Sequence, residues 1–355
     1  MFNFLQKLFV SSPNNSNGAP APAEILPEEK ADHLEAPGAE VLDLAAHMPE
    51  VNGFPKPDWD AISQWLASIP IEADKAQAWG HCEIAWLQRL QNALGDRFTI
   101  RTADDVALLS SLNNAEAMAI LTHVSRSRRR ILHTLQGIAE LPGWGYDILV
   151  VFDDQDTYYR YASNHYPDEG EFALSSGMYL SNGCGHFIMV KDELLAIEPT
   201  IVHELTHACL SHLPIPAWLN EGLAVNTEHR FYPKANGSHR GGHDALRQHR
   251  RHQAFWGAPE IQQFWSGDSF TRTDEGNELS YDLASILTTR FAADWARLTA
   301  FANAAHLEDG GAQAAQDHLG VSLGRVVCAL LEIEYEDAFE PDANGWLEEP
   351  QRGAF

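Results

Sequence analysis

The stretch Ile201-Val202-His203-Glu204-Leu205-Thr206-His207-Ala208-Cys209-Leu210 constrains this chain more than any other. Its apolar residues mark a helix buried on most sides, yet three ionisable groups stand in it, and desolvating such groups without partners is costly. On a helix His203 and His207 lie one turn apart, about 5.4 Å, and share a face. That is the spacing at which two imidazoles bind one Zn²⁺. Glu204 follows the first histidine and points to the side, within reach of a water at the metal but poorly aimed at the metal itself, so its natural role is general base. The competing reading, a core helix whose histidines are satisfied by hydrogen bonds, leaves Glu204 desolvated and unpartnered.

A catalytic zinc site takes three protein ligands and keeps one position open. Glu221 is the best third ligand, because Leu213-Pro214-Ile215-Pro216 turns the chain and Pro216 can start a second helix that returns Glu221 to the metal. Glu228, two helical turns beyond Glu221, is the runner-up, with His212 and His229 behind it. His203-Glu204-Leu205-Thr206-His207 followed by Pro216-Ala217-Trp218-Leu219-Asn220-Glu221-Gly222-Leu223-Ala224 resembles the gluzincin group of zinc metallopeptidases, of the peptidase MA type. The resemblance implies one Zn²⁺ on His203, His207 and Glu221, Glu204 as base, and hydrolysis of a peptide or protein substrate.

It implies two further placements. A tyrosine on a later helix stabilises the oxyanion in such enzymes, which points to Tyr281 on a helix over 278–287; a core aromatic is the plain alternative. The strand before the motif borders the cleft, which places substrate along 185–190. One departure stands out: many relatives carry a carboxylate three or four positions after the ligand glutamate to orient a histidine, and here those positions are Ala224 and Val225. The partners of the histidines are therefore unassigned. Two other classes share these residues, a non-catalytic zinc-dependent regulatory or interaction module and a zinc hydrolase of non-peptide esters or amides. A closed structural zinc site is disfavoured, since it would show four ligands, often cysteines.

The rest of the chain frames this centre. A formal net charge of −26 argues against non-specific nucleic-acid binding and against an anionic membrane surface. No stretch reaches the ~18 apolar residues of a membrane span, and residues 1–10 read as a frayed amphipathic terminus. Cys82, Cys184, Cys209 and Cys328 are scattered without a CxxC pair, so a cytoplasmic setting is expected.

The expected fold class is α+β, a small mixed or antiparallel sheet packed on the HExxH helix and followed by a mainly helical C-terminal part. Residues 1–57, rich in proline and acids, read as a disordered tether with a short helix at 39–47, and 58–95 as a helical subdomain. The zincin region spans 96–230: a strand at 97–101, a helix from about 104 to 138, a strand at 146–152, a helix at 156–162 and a hairpin whose strands flank Ser181-Asn182-Gly183. Residues 231–331 comprise a His/Arg-rich segment and further helices. The stretch 229–252 holds six Lys/Arg, five His and one acid, and reads as a loop over its first half that could gate the cleft or dock the tether. Residues 332–355 read as an acidic tail.

Overall fold

A computed structural model describes residues 24–25, 31–141, 143–165, 177–180, 183–191, 194–233 and 242–346. The chain is α+β. It divides into two compact units, Met1–Arg129 with Pro142–Ile201 and Gly353–Phe355, and Arg130–Leu141 with Val202–Arg352.

In chain order the first unit contains β1 (Glu24–Ile25), β2 (His33–Leu34), β3 (Leu42–Asp43), β4 (Glu50–Val51), β5 (Phe54–Pro55), α1 (Trp59–Ser68), α2 (Glu72–Leu94), β6 (Thr99–Ala103) and β7 (Val106–Ser110). Then come most of α3 (Asn114–Thr134), β8 (Asp147–Phe152), α4 (Gln155–Ala162), β9 (Gly177–Leu180), β10 (His186–Val190) and the first part of α5 (Leu194–Leu210). Its main sheet has the order β1-β6-β7-β8-β10-β9. The β7/β8 and β8/β10 pairs are parallel and the other pairs antiparallel. Ile148–Phe152 of β8 are all buried, the continuous apolar run that a central parallel strand requires.

Several sequence expectations change here. The helix expected from 104 begins instead at Asn114, and Val106–Ser110 is a fully buried strand. Asp104 at φ 51° turns β6 back into β7, and Asn113 caps α3 by accepting from the Ala115 and Glu116 amides. A short apolar run such as Val-Ala-Leu-Leu has no periodicity that separates strand from buried helix. Residues 31–57 are folded: β2 pairs β3, β4 pairs β5, and Leu34, Leu42, Leu44, Met48 and Phe54 enter the core beside α1 and α2. The chain at 39–47 contains β3 rather than a helix. Of the expected tether, residues 1–23 and 26–30 lie outside the described residues.

The sequence places substrate along 185–190, yet β10 is hydrogen-bonded on both sides, Phe187 pairing with Leu149 of β8 and Tyr179 of β9. A strand with both edges used cannot take up another. Pro199 stands inside α5.

Glu83 of α2 is a buried carboxyl in this unit's core, only 2 % exposed. It accepts the Tyr146 amide at 3.0 Å and the Cys184 thiol at 3.5 Å. Gly145, at φ 81°, lies so close that a Cβ there would stand 2.5 Å from Glu83 Oε1. Burial, reinforced by the charge of Asp147 and opposed by hydrogen bonds from Tyr146, Cys184 and Trp79, pushes the Glu83 carboxyl up to about 8. Its folded pKa thus exceeds the unfolded one. The neutral form's contribution is complete below pH ~4.5 and is lost as pH rises to about 8, at up to ~1.4 kcal/mol per pH unit. Glu83→Gln, which has nothing to ionise, is therefore expected to gain stability relative to wild type between pH 5 and pH 8. Chemical denaturation of both proteins at the two pH values checks this; a difference that does not grow with pH refutes it.

The second unit is helical. After the end of α5 come α6 (Ala217–Phe231), α7 (Gly242–Phe255), α8 (Ala258–Ser266), α9 (Glu275–Phe291), α10 (Trp295–Ala304), α11 (Ala312–Ala314) and α12 (Leu323–Leu331). Trp218, fully buried in the first turn of α6, packs against Phe264, Trp265, Phe291 and Phe301 and donates Nε1–H to the Gly310 carbonyl at 3.0 Å. That cluster sets where α6 begins.

Of the basic segment, residues 229–231 close α6 and residues 242–252 lie in α7. Gln248 and His252 donate to Asp282, and Arg251 pairs with Glu275 and Glu278. Carboxylates of α9 thus take up these groups within the unit; residues 234–241 lie outside the described residues. The expected acidic tail is partly packed, with Phe339 buried and its carbonyl accepting Trp265 Nε1–H, while 347–355 lie outside the described residues. Among the described residues no helix is long and apolar enough to cross a membrane.

Candidate metal centre

The last turns of α5 present His203 and His207, and α6, starting after Pro216, brings Glu221 to them. One ligand atom from each lies within 4.8 Å of the others. The two Nε2 atoms are 3.1 Å apart, and Glu221 Oε2 stands 3.2 Å from that of His203 and 3.4 Å from that of His207.

Behind the ring nitrogens that converge, the other two are held. His203 Nδ1 lies 3.2 Å from Glu228 Oε2, and His207 Nδ1 lies 3.0 Å from Asn220 Oδ1. Both partners are acceptors, so each Nδ1 carries the proton and each Nε2 offers a lone pair to the centre. Oxygen acceptors behind metal-binding imidazoles fix tautomer and ring orientation in this way.

The geometry tests whether a metal fits. Glu221, 8 % exposed, has its Oε2 buried without a hydrogen bond despite the two short approaches. With both Nε2 atoms unprotonated, three lone-pair atoms face one another and none donates; only a cation or an added proton reconciles them. The proton equilibria carry the same demand. Burial disfavours the imidazolium form of His203, but Glu221 and Glu228 outweigh it and hold its pKa well above the ordinary value. Burial acts likewise on His207, and Glu221 again outweighs it. Burial would raise the Glu221 pKa, yet the two histidines hold it far below the usual carboxylate range. His203, His207 and Glu221 fit a metal ion.

Glu204 is half-buried, and its charge acts on both histidines without joining the three converging groups. Tyr281 of α9 is half-buried with its ring centroid 6.5 Å from that of His203 and edge-on to Phe270 at 5.2 Å. Of the rival third ligands, Glu228 holds the far side of His203 instead. His212 faces Glu140 at 4.0 Å, and His229 is exposed. Cys209 is buried and takes part in no disulfide.

Sequence reasoning misses the roles of Asn220 and Glu228. The resemblance directs the search for an orienting carboxylate to one turn after Glu221, whereas Glu228 stands two turns after it. No family model, no curated protein and no solved structure matches this chain, so the reading of the centre rests on its own geometry.

Proposed function

We propose that the protein is a zinc-dependent hydrolase, a metallopeptidase of the gluzincin kind, with one Zn²⁺ held by His203, His207 and Glu221. The observation that carries this is the convergence of three ligand atoms, from two half-buried histidines and a buried glutamate, with each imidazole backed by an oxygen acceptor. A bound zinc ion supplies Lewis acidity toward a carbonyl oxygen and lowers the pKa of water. Glu204 takes the proton of the attacking water and passes it to the leaving amine. Tyr281, on the side of His203, offers its hydroxyl to the oxyanion of the tetrahedral intermediate. Asn220 and Glu228 keep the imidazoles in the Nδ1–H tautomer.

The substrate class that fits is a peptide or protein. All four cysteines are buried and none is in a disulfide, in keeping with a reducing compartment such as the cytoplasm. The test is the purified protein loaded with one equivalent of zinc and offered a diverse peptide library. Cleavage that a chelator removes and zinc restores is the expected result; no hydrolysis of any peptide or amide overturns the proposal.

A further inference from the structure

We infer that Asn226 is a positioning residue for Tyr281, locking the helix that carries the tyrosine to the helix that carries Glu221. The inference rests on the metal reading above and on Tyr281 lying at the metal. Asn226 follows Glu221 by a little more than one helical turn on α6, and its partners on α9 begin one turn after Tyr281. Its amide donates to the Ser285 carbonyl at 3.0 Å and to the Thr288 hydroxyl, while its Oδ1 accepts the hydroxyls of Ser285 at 2.7 Å and Thr289 at 3.1 Å. Two donor and two acceptor sites are the full capacity of an asparagine side chain. All are spent on one neighbouring helix.

Next to the ligand, Gly222 allows this contact. A Cβ there would stand 2.5 Å from the Ala284 carbonyl oxygen and 2.6 Å from Thr288 Cγ2, so α9 comes closer than any other residue at 222 would permit. Thr288 in turn donates to the Ala284 carbonyl at 2.9 Å. The two helices are thus held in one axial register by a polar lock and a missing side chain. A solvated asparagine on a helix needs neither. Because the lock lies one turn from Glu221 on one helix and one turn from Tyr281 on the other, it fixes the spacing between ligand and phenol. Truncating it frees α9 to slide or rotate while leaving the metal ligands untouched.

The test uses the full chain labelled with ¹³C at the Cζ of its nine tyrosines, with Tyr281→Phe assigning the Tyr281 signal, and zinc as the only ligand. Wild type is expected to bind one equivalent of zinc and to shift the Tyr281 signal on doing so. Asn226→Ala is expected to bind one equivalent by elemental analysis and to lose that shift. The pair Ser285→Ala with Thr289→Ala, which deprives Asn226 of both hydroxyl donors without altering α6, is expected to lose it too, and guards against an Asn226→Ala protein that does not fold. Arg251→Ala, which removes the ion pairs of Arg251 with Glu275 and Glu278 of α9, is expected to keep the wild-type shift. A full wild-type shift in both lock variants overturns the inference, as does loss of the shift in Arg251→Ala, which would mean that any loosening of α9 suffices. Zinc binding without a Tyr281 response in wild type removes the role of Tyr281, and no zinc binding in wild type removes the metal reading and this inference with it.

Discussion

Glu221→Ala is expected to bind no stoichiometric zinc, whereas Glu228→Ala is expected to bind it about 10–100-fold more weakly, the usual cost of losing a group that only orients a ligand. The difference follows from where the two carboxylates stand. Glu221 Oε2 is the only anionic atom among the three that converge, and without it two neutral imidazoles 3.1 Å apart must share the ion with solvent. Glu228 lies on the far side of the His203 ring, 3.2 Å from Nδ1, so its removal frees the tautomer and the ring orientation but leaves all three ligands in place. Elemental analysis and competition with a chromophoric chelator read both effects. Undiminished zinc in Glu221→Ala would move the third-ligand role elsewhere. Equal losses in the two variants would make Glu228 a ligand as well.

The candidate metal centre is legible in the sequence because its parts are local. His207 follows His203 by one helical turn, a proline-marked turn separates them from Glu221, and helical geometry does the rest. What fails to read out depends on distance or on ambiguous short runs. Glu228 can be seen on the correct face of α6, but whether it reaches the metal or the back of an imidazole is decided by the approach of two helices, which no periodicity records. Val106–Ser110 carries no period that tells a buried strand from a buried helix, so β7 merges with α3 in the sequence pattern. Residues 31–57 mislead for a different reason. Their composition is that of a linker, but isolated leucines, Met48 and Phe54 each find a place against α1 and α2, and burial of a few large side chains outweighs a polar average. The charge of 229–252 likewise suggests a gate over the cleft or a dock for the tether, and no sequence pattern signals that α9 supplies Glu275, Glu278 and Asp282 from the same unit.

Glu204→Gln is expected to keep one equivalent of zinc and lose peptide cleavage by about 10²–10⁴-fold in kcat, the range for removing a general base. The substitution preserves size and helix propensity and touches none of the three ligands, so metal affinity should stay near that of wild type. A carboxamide cannot take a proton from water at neutral pH. The neighbouring carboxylates are committed elsewhere, Glu221 to the two Nε2 atoms and Glu228 to Nδ1 of His203. The loss should fall on kcat rather than KM, because the base acts in the transition state and not in ground-state binding. The outcome also separates the functional classes. A non-catalytic zinc module has no use for a half-buried carboxylate whose charge bears on both histidines, and its Glu204→Gln variant would behave as wild type in every binding assay. A zinc-replete Glu204→Gln that still cleaves at the wild-type rate would leave the metal in place and take the role of base from Glu204.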